Sequence, residues 1–303
     1  MNRTFFFKTK NISQIIFIIL PLYVSSCYKF QEEISWNIKD HPAMLVVEGT
    51  ITNELKNQTI KLTLSNAYFS SDPPQSVRGA TVLIDDGENR FDFNENGEEN
   101  GLYLSNDSFA ALPGKTYHLF ITLKDEINNQ KEYTASSAIP EGFDLDSIHC
   151  EIYKLPLSQQ IFSYSVSDDT EKDSTILAVY YYGEKPQSPG HYFFAKIFRN
   201  NQPMFNDVKD YPFSNDIELN GVYTNLMEVT RNVAVNDTIT LNLFSINKEY
   251  YKYIDAISKI DESGSIFSQA GPPANAMGNV EGALGFFLVS YVSTKTSLAI
   301  DKR

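Results

Sequence analysis

The sequence feature that most restricts the fold is a series of short stretches in which apolar and polar residues alternate. Tyr117, Leu119, Ile121 and Leu123 alternate with His118, Phe120, Thr122 and Lys124, which is the pattern of a strand with one face buried and the other in water. Ile60, Leu62 and Leu64 repeat it against Lys61, Thr63 and Ser65, and Leu45-Val46-Val47-Glu48-Gly49-Thr50-Ile51 is rich in β-branched residues. Further strands are predicted over 81–84, 90–93, 102–105 and 133–138. The turn-forming groups Asp72-Pro73-Pro74, Asp85-Asp86-Gly87, 94–101, Pro113-Gly114 and Asn128-Asn129 separate these runs. Seven short strands at this spacing predict an Ig-like β-sandwich over residues 44–139.

Pro140-Glu141-Gly142 interrupts the pattern and marks the start of a second domain, residues 140–303. Strands are predicted there over 147–153, 161–166, 175–182, 192–198, 238–244 and 283–292, with a polar, proline-containing connection over 200–220. One helix is predicted near 248–262. Asn247 can cap it, Tyr250, Ile254 and Ile257 share a face, and Gly264 can end it. The stretch 283–292 is apolar on both faces, so it belongs in the middle of a sheet. The expected class is mainly all-β, a sandwich followed by an antiparallel β-rich domain with one packed helix.

The N-terminus has a different character. Arg3, Lys8 and Lys10 precede the apolar run Ile15 to Val24, which is shorter than the roughly 20 residues needed to span a bilayer and reads as an export signal over residues 1–26. Val24-Ser25-Ser26-Cys27 resembles the lipobox of bacterial lipoproteins, and the resemblance implies a diacylglycerol on the Cys27 sulfur. Residues 27–43 are then a lipidated tether, and two or more acyl chains hold a protein stably on a membrane where one does not. Tyr28-Lys29-Phe30-Gln31-Glu32-Glu33 is similar to the surface-export signals of Bacteroidota lipoproteins and favours the outward-facing leaflet over the periplasmic one. Residues 1–26 hold three basic residues and no carboxylate, so their removal deepens the formal net charge of −13 by three units. Such an acidic body is repelled by phosphate backbones, which excludes nucleic acid as a partner. With Cys27 lipidated, Cys150 has no intramolecular disulfide partner, and burial of apolar surface must supply the stability.

No motif points to catalysis. His41, His118, His149 and His191 stand far apart and form no zinc-binding spacing. Cys150 lies between Ile148 and Ile152 on one strand face, where burial makes a thiol inert. Asp92-Phe93-Asn94-Glu95-Asn96-Gly97 matches the first half of a calcium loop, but Tyr103 stands where the bidentate Glu should be; an acidic hairpin turn is expected instead. Nucleophile elbows, phosphate loops and dinucleotide fingerprints are absent from the sequence. No catalytic residue, metal ligand or cofactor is therefore expected, and a hydrolase would need carboxylates brought together only by the fold. The dense aromatics Tyr180-Tyr181-Tyr182, Tyr192-Phe193-Phe194 and Tyr250-Tyr251 are expected to divide between the core and an exposed recognition surface.

Gly101-Leu102-Tyr103 and Leu112-Pro113-Gly114-Lys115-Thr116-Tyr117 are similar to segments of prealbumin-like and carboxypeptidase-regulatory-like sandwiches. A broader resemblance runs along most of the chain. The lipobox at Cys27 is followed by Leu45 to Asn53, Arg78-Gly79-Ala80-Thr81-Val82, Pro113 to Tyr117, Asn236-Asp237-Thr238-Ile239-Thr240 leading into Ser245 to Tyr253, and Asn279 to Phe287. In that order these segments resemble the Bacteroidota outer-membrane lipoproteins classed as domain of unknown function four-two-four-nine. The resemblance implies an outer-membrane location beside a TonB-dependent receptor and carries no catalytic residues. The expectation is a non-enzymatic accessory component of nutrient uptake. The alternatives are a stand-alone surface glycan- or peptide-binding lipoprotein and, third, a hydrolase with an unrecognised carboxylate site.

Overall fold

The computed structural model describes residues 42–66, 70, 72–97, 99–154, 175–183, 190–215, 224–230, 233–262, 276 and 278–302. Cys27, the export signal, the tether up to residue 41, the strand predicted over 161–166 and Gly264 lie outside the described residues. Seven strands build the first region: β1 (Leu45–Thr52), β2 (Thr59–Leu64), β3 (Thr81–Asp85), β4 (Arg90–Glu95), β5 (Leu102–Ser105), β6 (Thr116–Ile127) and β7 (Gln130–Ala138). They stand in the order β1-β2-β5-β4-β3-β6-β7, and every pairing among them is antiparallel. The β6–β7 hairpin turns on Asn128 and Asn129, both at positive φ (52° and 62°), the backbone that a tight two-residue hairpin requires and that Asn tolerates best after Gly.

Alternation dominates this region and is broken where Thr52 and Thr63 are buried beside Ile51 and Leu62. Tyr117, Leu119, Ile121 and Leu123 point inward against Leu45, Val47, Ile60, Leu62, Val82 and Ile84, and burying each such side chain is worth about 1.5–3 kcal/mol. The polar groups taken inside are bonded. The Tyr103 hydroxyl donates to the Val77 carbonyl and accepts the Ala80 N–H, both at 3.0 Å. Gln58, fully buried, donates to the carbonyls of Thr52, Glu54 and Phe109 and accepts the Thr52 N–H.

The second region contains β8 (Leu145–Lys154), β9 (Thr175–Gly183), β10 (Tyr192–Arg199), β11 (Gln202–Pro203), β12 (Phe213–Asn215), β13 (Thr224–Thr230), β14 (Thr238–Ile246), α1 (Lys248–Glu262) and β15 (Leu284–Asp301). The structure corrects the sequence reading in three places. β13 stands where no strand is expected from the sequence and pairs antiparallel with β9. The connection expected over 200–220 holds β11 and β12, both paired to β10, and they are too short to show alternation. The last strand runs nine residues past Val292; its far half has Thr294, Thr296 and Leu298 in water and Ser293, Lys295 and Ser297 half-buried, so it lacks the apolar run by which the first half is read. The helix starts where Asn247 predicts it, with the Asn247 Oδ1 accepting the Tyr250 N–H at 2.8 Å. Its buried residues Tyr250 and Ile254 pack on an aromatic layer of Phe194, Phe244 and Phe286. In that layer Phe194 and Phe244 stack with centroids 4.4 Å apart.

β15 links the two regions. Its first half pairs in parallel with β1, from Val46↔Leu284 to Thr52↔Ser290. From Tyr291 it pairs antiparallel with β14, and at Ala299–Asp301 in parallel with β8. Where β1 ends, Asn53 takes over its hydrogen bonds: the side chain accepts the Val292 N–H at 2.6 Å and donates to the Val292 carbonyl at 3.2 Å. Phe287 and Val289 complete the core of the first region, while Phe286, Leu288 and Val292 on the opposite face support the helix. The Pro140 break falls between two cores, one holding residues 45–139 with Val280, Phe287 and Val289, the other running from Phe143 to Ala299. The fold is all-β with a single α-helix among the described residues.

Candidate binding surface

Three surfaces are candidates, and strand alternation creates two of them. On β6 the residues that do not face the core face outward, so Phe120 is 41% exposed. Register sets His118 opposite Ser136 and Phe120 opposite Thr134. The segment leading to β15 crosses this face. The Glu281 N–H bonds the Thr134 carbonyl at 2.9 Å, and the Asn279 amide donates to the carbonyls of Ser136 and Phe287. The result is a shallow cleft of about 370 Å³ lined by His118, Phe120, Thr134, Ser136, Asn279 and Glu281. It has an aromatic floor and a polar rim, a combination suited to holding a small polar ligand.

A second cleft, about 350 Å³, lies where Pro140 and Glu141 pass His191, Ser245 and Asn247. His191 is buried, with Nε2 3.9 Å from the Glu141 carboxylate and its ring stacked on Phe193. The Ser245 hydroxyl accepts the Phe143 N–H at 3.1 Å, and Asn247 is engaged in capping the helix and in a bond to the Ser137 hydroxyl. These groups hold the junction between the regions together.

The third surface is the open outer face of β14, β15, β8 and β9. Leu298 and Ile300 are 52% and 42% exposed, and Tyr182 is 37% exposed. The Thr240 and Thr296 hydroxyls bond across the strands at 2.9 Å, and His149 bonds Glu151 at 3.2 Å and lies 6.1 Å from the Tyr180 ring. Leu298 and Ile300 share the outward parity of β15, and β8 with His149 and Glu151 lies between them and Tyr182; a cluster of exposed apolar side chains marks an interaction surface where single ones do not.

The residues singled out in the sequence fall into place individually. Cys150 is fully buried, and burial pushes its thiol up to about 12, so the thiolate that reacts is not formed near neutral pH. Asp92 and Asn94 lie on the wet face of β4, with Phe93 between them in the core. Tyr103 is buried in β5 instead of reaching into the turn. Tyr181, Phe193, Phe194 and Tyr250 are core residues, while Tyr182 is exposed. Glu141 and Glu281 line different clefts. Among the described residues no three His, Cys, Asp or Glu side chains gather as a metal site, and no helix is long and apolar enough to cross a membrane. Sequence reasoning missed the Phe120 cleft because Asn279 and Glu281 reach it from more than a hundred residues away. The outward parity of His118 and Phe120 was its one local sign.

A comparison with protein families finds that the one described as Domain of unknown function (DUF4249) matches residues 31–296. No curated protein matches the chain.

Proposed function

The chain belongs to the family described as Domain of unknown function (DUF4249), and from that premise we propose that it is a non-enzymatic accessory lipoprotein of the outer membrane. In this reading lipid on Cys27 anchors it, with the outward-facing leaflet favoured, and it serves a TonB-dependent receptor in nutrient uptake. The observation that carries the reading is the open face of β14, β15, β8 and β9, where Leu298 and Ile300 stand exposed two positions apart on β15. A chain with 38 acidic and 25 basic residues, three of the basic ones within residues 1–26, leaves a strongly acidic body that stays soluble on its tether, so this apolar patch is free to meet a protein partner without clumping. Mild detergent extraction and affinity purification of the tagged protein test the proposal. An outer-membrane receptor is expected to co-purify, and to be lost when Leu298 and Ile300 are both changed to Asp. Recovery of the protein without any receptor removes the partner claim.

The Phe120 cleft favours a second reading, a surface protein that binds a glycan or peptide on its own. A glycan array and a peptide screen with Phe120→Ala as control separate the two readings. Binding that is abolished by the substitution, in a protein that purifies alone, selects the second.

A further inference from the structure

Lys196 differs from the other lysines for which the structure gives polar contacts. Lys115 pairs with Asp86 and Glu88, Lys61 with Glu99, Lys56 with Glu54 and Lys259 with Asp255. Lys196 projects from the same face of β10 as Phe194 and is half-buried. Its Nζ stands 5.3 Å from the centroid of Phe244 and 5.4 Å from that of Tyr211, and it makes no hydrogen bond or ion pair with any described residue. Acidic residues outnumber basic ones 38 to 25 in this chain, so carboxylate partners were available to the fold.

A withdrawn ammonium without a counter-charge is disfavoured, and ring faces offset only part of the lost hydration. The neighbouring groups add to the imbalance. Burial, and then the positive charge of Lys56, hold Lys196 below the usual lysine range. Register places Asn242 of β14 beside Lys196 and Thr294 of β15 beside Asn242. The Asn242 Oδ1 already accepts the Thr294 hydroxyl at 3.1 Å, which leaves its amide nitrogen as a donor next to the ammonium. None of the acidic side chains among the described residues pairs with Lys196: Glu54 holds Lys56, and the charges of Asp207 and Glu48 lie close enough to Tyr211 only to disfavour its ionisation.

We infer that Lys196, with the Asn242 amide on the neighbouring strand, forms a binding site for an oxyanion, the carboxylate or phosphate group of a ligand. The anion supplies the counter-charge that the fold withholds, and the rings of Tyr211 and Phe244 fix the ammonium so that little side-chain freedom is lost when it binds. This goes beyond the receptor reading and does not depend on it, since a protein that fails to bind oxyanions still co-purifies with its partner through the β14–β15–β8–β9 face.

The test follows the Lys196 side-chain NMR signal in the mature protein, assigned with Lys196→Met, during titration with sodium succinate, inorganic phosphate or sodium chloride at constant ionic strength. A saturable shift with succinate assigns a carboxylate and one with phosphate assigns a phosphate. The accompanying saturable shifts of residues around the site, Asn242 among them, are expected to vanish in Lys196→Met. The substitution Lys196→Met should leave the melting temperature unchanged or raised, as expected for a charge held in wait for a ligand. A Lys196 signal that follows the chloride curve with both probes overturns the inference, as does a folded Lys196→Met protein that retains the saturable response at other residues.

Discussion

β6 and β10 bury their residues in contrasting ways. In β6 the residues from Thr116 to Lys124 alternate between exposed and buried without a break, whereas in β10 Phe193, Phe194 and Ala195 are buried in succession. The first region is a sheet with one side in the core and the other in water. The second has helix α1 and its aromatic layer on one face of β10, β14 and β15 and a separate core on the other. Regular alternation therefore marks the region that acts as a frame. Its failure marks the region where layers join and where Lys196 and the open sheet face are found.

The contrast is sharpest at β15, which serves both regions, so changes there should have the largest effects. Phe287→Ala empties a fully buried site in the first core and should cost about 3–5 kcal/mol in urea unfolding followed by circular dichroism. One cooperative transition for both regions is expected, and two separated transitions would break the view that β15 makes them one body. Gly285 comes next. It has φ +89°, and a Cβ there would meet the Val47 carbonyl oxygen at 2.1 Å, so Gly285→Ala should cost at least about 2 kcal/mol in the same assay. Asn53→Ala leaves the Val292 N–H and carbonyl unpaired where β15 changes partner, with an expected loss of about 1–3 kcal/mol.

The smallest effect belongs to the frame alone. Burial pushes the Asp86 carboxyl upward, but the N–H groups of Asn89 and Glu88, then the Lys115 ammonium and the Asn89 side chain, outweigh it and hold the group at about 2. A carboxylate held low in the folded state stabilises fully above its unfolded value of about 3.9 and loses that contribution as pH falls toward about 2. Asp86→Asn should cost about 1 kcal/mol at pH 7, and its urea curve should approach that of the parent protein as pH drops through this window. A difference that persists unchanged at pH 2 would contradict the assigned bonds.

Legibility in the sequence follows the same division. All seven strands of the first region could be read from alternation and turn residues, because each needs only local information: an inward parity and a pair such as Asn128-Asn129 to close the hairpin. The helix was readable too, since Asn247, Tyr250 and Ile254 lie within two turns of one another. β11 and β12 were not, because two- and three-residue strands show no period and exist only by pairing with β10. The far half of β15 was hidden because its outward Thr294 and Thr296 and its half-buried Ser293, Lys295 and Ser297 read as a loop. The candidate surfaces were the least legible. Asn53 and Val292 lie 239 residues apart, Phe120 and Glu281 line one cleft from well over a hundred positions apart, and nothing beside Lys196 in the sequence shows that the fold leaves it without a carboxylate.

Location underlies the functional account, and intact-mass and tandem mass spectrometry of the N-terminal peptide from membrane-extracted protein tests it most directly. The account predicts that the mature chain starts at Cys27 and that its sulfur carries a diacylglycerol, detected as a thioether-linked mass addition. A chain that starts elsewhere, or a Cys27 recovered as a free thiol, would contradict it.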